Sequence, residues 1–140
     1  MAEYTANAIQ LVNVNNNVLF TETPVAGNCS IIHRDGSGLI NLRGLTCQCR
    51  SRFKITFGAN IAIPTGGAVG PISLAIAING EPVQTTTMIE TPAAVEEYSN
   101  VFSAIFIDVP VNCCSQISVK NTSDVDINVQ NANLIIERVA

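Results

Sequence analysis

Residues 127–140 read INVQNANLIIERVA, a run that ends with Leu134, Ile135 and Ile136 four residues short of the last. No polar tail, linker or tag-like run follows it. An apolar stretch of this length with alternating Asn and Gln partners is expected to be the central strand of a closed β-sandwich that sits in an assembly.

Working back along the chain, VFSAIFIDV (101–109) keeps a period of two with both sets largely apolar. Val101, Ile105 and Ile107 alternate with Phe102, Ala104 and Phe106. The pattern predicts a strand buried on two sides, one against the domain core and one against a neighbouring subunit. FKITFGANIAI (53–63) alternates through Phe53, Ile55 and Phe57, meets Gly58 and resumes at Ile61. A glycine there predicts a bulge or bend in a long strand. PISLAIAING (71–80) places Ile72, Leu74, Ile76 and Ile78 on one face and closes on Asn79-Gly80, a dipeptide that suits a type I′ hairpin with φ > 0 at both positions. TPAAVEEYSN (91–100) has Thr91 as a cap and Pro92 behind it, enough for one helical turn. About eight to ten antiparallel strands at this spacing predict an all-β sandwich or barrel, with residues 1–140 a single domain.

Apolar residues make up 47 % of the 140, which excludes a disordered chain. Charged residues are only 13 %, about half the usual share for a soluble domain. So few charges leave a lone monomer short of solvated surface and point to a homo-oligomer or a particle-bound subunit. Net charge is −4 and the pI about 4.8, which argues against nucleic-acid partners. Five of the seven basic residues nevertheless fall between Arg34 and Lys54. Alternation puts Arg50, Arg52 and Lys54 on one strand face, read either as a solvated face beside acidic neighbours or as an anion- or partner-binding face. MAEYTANAIQ at the start has neither a basic nor an apolar signal-peptide region, and LAIAI (74–78) is too short to span a bilayer. The expectation is a protein made in the cytosol with no membrane partner.

Cysteines stand at 29, 47, 49, 113 and 114. An odd number in a reducing compartment argues against a full disulfide framework. Cys47-x-Cys49 has too short a spacing for a structural zinc site. Buried thiols are one reading and later cross-linking at subunit contacts another. His33, the single histidine, lies in IIHRDGSG two residues before Asp35, with no G-x-S-x-G and no oxyanion element in view. A locally hydrogen-bonded histidine beside a turn is the expectation, with no catalytic residue, metal or cofactor. Asn28-Cys29-Ser30 and Asn121-Thr122-Ser123 match the glycosylation sequon by chance.

NVLF (17–20), GSGLINLRG (36–44), AIAINGEPV (75–83) and the closing ISVKNTS…INVQNANLIIERVA together resemble the trimeric jelly roll shared by tumour necrosis factor, complement globular heads and the heads of spore-filament collagen-like proteins. The chain also looks like small prophage-encoded proteins of Firmicutes-type bacteria that decorate capsids or form fibre parts. The resemblance implies a TNF-like homotrimer, with Val101, Ile105, Ile107, Leu134 and Ile136 as aliphatic residues at the trimer interface. It also implies a virion structural subunit, made in the host cytosol and partnered by capsid or fibre proteins. The alternatives are a spore-surface protein and a jelly-roll binding module for a carbohydrate or cell-surface ligand.

Overall fold

The computed structural model describes residues 1–27, 29–44, 50–111 and 113–140. Two antiparallel sheets face each other. The first runs β10 (Ser99–Pro110), β6 (Arg50–Ala62), β12 (Ile127–Arg138), β1 (Ala2–Ala6) and β3 (Glu22–Val25), with β2 (Gln10–Val12) paired to the start of β12. The second runs β4 (Ile31–His33), β5 (Ile40–Arg43), β11 (Cys114–Asn121), β7 (Ile72–Ile78) and β8 (Glu81–Pro82), with β9 (Met88–Glu90) also on β7. The sandwich is therefore all-β, and its strand count exceeds the expected eight to ten because several edges are split into two- to four-residue pieces.

The 127–140 stretch is central, as its composition predicts. β12 lies between β6 and β1, with Leu134 opposite Phe57 on one side and Tyr4 on the other. Leu134 and Ile136 are fully buried between the sheets with Phe53, Ile55 and Phe57 of β6. From the second sheet Ile40, Leu42, Ile72, Leu74, Ile76, Ile117 and Val119 meet them, all fully buried. Each such side chain contributes about 1.5–3 kcal/mol on leaving water. Phe20 and Phe57 add an edge-to-face contact at 6.2 Å.

Three local expectations change. Gly58 does not interrupt β6. The irregularity lies opposite, in β12, where Asn131 and Ala132 together face the single residue between Gly58 and Asn60, and Asn131 takes φ 54°. Segment 91–100 forms no helix. Glu96 turns into the left-handed region at φ 58°, and its N–H donates to the Ile63 carbonyl at 2.8 Å. That tertiary bond holds the segment as a turn, while a single 3-10 turn forms at Gln84–Thr86 instead. Finally, β10 is the edge of its sheet rather than a strand buried on both faces. The Asn79-Gly80 hairpin matches its prediction, with φ 52° and 85° and Ile78 paired to Glu81.

Buried polar groups are tied down locally. Asn121 is fully buried at the end of β11. Its amide N–H groups donate to the Val12 and Val125 carbonyls at 3.0 and 2.9 Å, and its oxygen accepts from the Ser123 N–H and hydroxyl. An amide used at both ends inside the protein is no glycan acceptor, which settles one sequon. Asn28, in the other, lies outside the described residues.

Candidate functional site: the outward face of the first sheet

Backbone register sets what this face displays. Along β10 the outward residues are Asn100, Phe102, Ala104, Phe106 and Asp108, opposite Asn60, Gly58, Thr56, Lys54 and Arg52 of β6. β12 continues the rows with Asn133 beside Gly58, Ile135 beside Thr56 and Glu137 beside Lys54. Phe102 is 65 % exposed and Phe106 60 %. The chain has five phenylalanines. Phe20, Phe53 and Phe57 are fully buried in the core, and the remaining two both stand on this face. Between the two rings runs one row of Ala104, Thr56 and Ile135.

The two ends of the face differ. At one, Arg52 forms a two-pronged pair with Asp108, Nε to Oδ1 at 2.8 Å and Nη2 to Oδ2 at 3.2 Å, and Arg50 lies 3.7 Å from the same carboxylate. The Arg52 hydrogen bond holds the Asp108 carboxyl below its usual range and raises the guanidinium in turn. Arg50, Arg52 and Lys54 do share a face as alternation predicts, with Asp108 and Glu137 interleaved among them. Arg50 and Arg52 thus share Asp108 as an acidic neighbour. At the other end an amide chain crosses the sheet. Asn100 donates to Asn60 at 3.2 Å and Asn60 to Asn131 at 3.4 Å. Asn131 then reaches the Asn7 carbonyl at 3.5 Å, and Asn7 donates to Glu22 at 3.3 Å.

The interface residues expected from sequence are elsewhere. Val101, Ile107, Leu134 and Ile136 are buried inside the single chain, and Ile105 packs against the same core. They cannot meet another copy, because they already fill the space between the two sheets. The residues that alternation places opposite them on β10, Phe102, Ala104 and Phe106, are the ones presented outward. Alternation along β10 separates the two sets, and the one expected at the surface is the one turned inward. The missing signal was which set the second sheet covers.

His33 is sealed in. Its side chain has no exposure, its Nε2 lies 2.8 Å from the Ser37 carbonyl, and its ring lies 4.4 Å from that of Tyr4. Asp35 approaches Nδ1 only to 4.0 Å and accepts from the Thr23 hydroxyl at 2.6 Å. The locally bonded histidine expected beside the turn is what stands here. Asp126 accepts the Val14 N–H at 3.1 Å. Among the described residues no group of three or more His, Cys, Asp or Glu side chains could hold a metal ion, and no helix is long and apolar enough to cross a membrane. Cys29, Cys113 and Cys114 are exposed free thiols rather than buried ones, and Cys47 and Cys49 lie outside the described residues.

The two sheets and their strand order define a TNF-like jelly-roll sandwich. Murine APRIL is similar in fold, with a TM-score of 0.66 and 8 % identity over 99 % of this chain and 98 % of that one. So are the globular domain of the zebrafish complement 1qA protein (0.57, 11 %, covering 96 % and 94 %) and rabbit GITRL (0.51, 10 %, covering 100 % and 95 %). At these identities the likeness establishes the fold alone. No protein-family model matches the sequence, and no curated protein does.

Proposed function

We propose that the protein is a non-catalytic structural subunit whose three copies close through the outward face of the β10-β6-β12 sheet. The observation that carries this is the pair of exposed rings, Phe102 and Phe106, on a strand face that the described residues leave open. A face of this kind is a usual mark of an association site. The partner is further copies of the chain, since the TNF-like resemblance implies a trimer and the low charge content favours a subunit with much of its surface covered. The setting we propose is the surface of a virion, as capsid decoration or fibre head, with capsid or fibre proteins as the next partners and the host cytosol as the place of synthesis. No nucleic acid, membrane or cofactor enters this reading.

Light scattering on a sizing column, with reductant present, tests the assembly: a mass near three times 14.8 kDa is expected, and a 14.8 kDa monomer refutes it. Density-gradient sedimentation of lysate from a producing cell tests the setting. The protein is expected to band with particles. Free protein that instead binds a glycan or cell surface overturns the virion reading in favour of a binding module.

A further inference from the structure

The thiols left exposed are far apart in sequence but not in space. β5 is flanked by β4 on one side and β11 on the other. Ile31 pairs with Leu42, and Cys114 pairs with Arg43. Past those pairs the Arg43 N–H donates to the Ser30 carbonyl at 2.9 Å, and the Gly44 N–H donates to the Cys113 carbonyl at 3.1 Å. Cys29 and the Cys113-Cys114 pair therefore bracket the same end of one strand. Gly44 makes this closure possible: a Cβ there would sit 2.3 Å from the Pro110 carbonyl oxygen, so the end of β5 and the turn after β10 meet backbone to backbone.

These three thiols cannot satisfy one another within the chain. Cys29 and Cys113 lie two strand spacings apart, roughly 10 Å between backbones. A disulfide needs Cα atoms within about 7 Å. Cys113 and Cys114 are consecutive, and a bond between neighbours would close a strained eight-membered ring. All three are exposed.

We infer that this end of the sandwich is a covalent cross-linking surface, where thiols of one copy of the chain form disulfides with those of another. The second copy is the partner the chemistry selects, because a thiol patch is complementary to itself. The inference rests on the assembly reading and extends it. A threefold axis would carry the same end of all three chains to one pole, and that pole would then bear the links to a neighbouring trimer. In each link two thiols, one per chain, lose their protons and form one S–S bond. The two electrons pass to a small-molecule disulfide such as oxidised glutathione, which leaves as two thiols, each step proceeding through a mixed disulfide. A reducing cytosol holds the surface open, and oxidising surroundings close it.

The test mixes unlabelled and 15N-labelled protein, purified with reductant, and exposes the mixture to oxidised glutathione. A non-reducing gel should show a ladder at two and more times 14.8 kDa that collapses with reductant. Peptide mapping should find hybrid-mass disulfides joining Cys29, Cys113 or Cys114 of different chains. A variant with Cys29→Ser, Cys113→Ser and Cys114→Ser together should lose at least ten-fold of the cross-linked species while its mass under reductant stays that of wild type. Disulfides confined to one chain, including bonds to Cys47 or Cys49, overturn the inference, as does a ladder that persists in the triple variant. A monomer under reductant with an intact ladder when oxidised refutes the trimer alone, so the two readings fail separately.

Discussion

Replacing Phe102 with Ser removes one exposed ring from the outward sheet face without touching the core. A phenylalanine side chain offers roughly 200 Å² for burial. At 65 % exposure about 130 Å² of Phe102 remains to be covered by a partner. At ~25 cal/mol per Å² that is about 3 kcal/mol per subunit, or ~10 kcal/mol across three. Each 1.4 kcal/mol is a factor of ten, so the trimerisation constant should weaken by about seven orders of magnitude. The midpoint concentration follows its square root and should rise by about three to four orders of magnitude. The fold itself should hardly respond, since Phe102 is largely exposed and pairs in register with Gly58; surface substitutions of this kind change stability by about 0.5 kcal/mol or less. Light scattering over a dilution series reads the midpoint, and thermal melting of the same samples checks the fold. A Phe102→Ser protein that keeps the wild-type mass at every concentration, with its fold intact, would refute the assignment of this face.

Leu134→Asp should behave differently, because it buries an unpaired carboxylate between the sheets; far-ultraviolet circular dichroism should show loss of the fold rather than a folded monomer. Asn121→Ala removes the side-chain donor to the Val12 carbonyl and the acceptor of the Ser123 N–H, while the Val125 carbonyl keeps the Ser123 hydroxyl, and should cost about 2 kcal/mol in denaturant unfolding. Burial, with a smaller contribution from Asp35, raises the Tyr4 phenol above its ordinary value. Stability from this group is complete below pH ~10, where the unfolded phenol is still neutral, and is lost as pH rises through the folded value. Tyr4→Phe should therefore flatten the alkaline limb of a melting-temperature profile. Gly44→Ala should lower the melting temperature, since the added methyl would meet the Pro110 carbonyl.

Much of the architecture is legible in the sequence because the core is built from strands with a clear period of two. Ile72, Leu74 and Ile76 lie on one face as read, and Asn79-Gly80 forces its own hairpin. β10 marks where legibility stops. Val101, Ile107 and Val109 on one side and Phe102 and Phe106 on the other are all apolar, and alternation separates the sets without saying which the second sheet covers. Here the bulkier aromatic set is outside. The amide chain across the sheet was equally hidden. Asparagine abundance is plain in the composition, but Asn60, Asn100 and Asn131 meet only once the register of three strands is fixed. The thiol-bearing end is a similar case, joined by the pairing of β5 with both its neighbours.

The extra residue at Asn131 has an effect along the whole of β12. Before it, Ile127 and Val129 point inward at odd positions; after it, Ala132, Leu134 and Ile136 point inward at even ones. The strand is thus two half-strands of opposite parity, spliced by a single phase change. Deleting Asn131 would bring Gln130 directly before Ala132 and merge the halves into one unbroken alternation, with Ala132, Leu134 and Ile136 still toward the core and Asn133, Ile135 and Glu137 still toward water. At this one position the strand can therefore shorten by a residue and keep its core side chains in place.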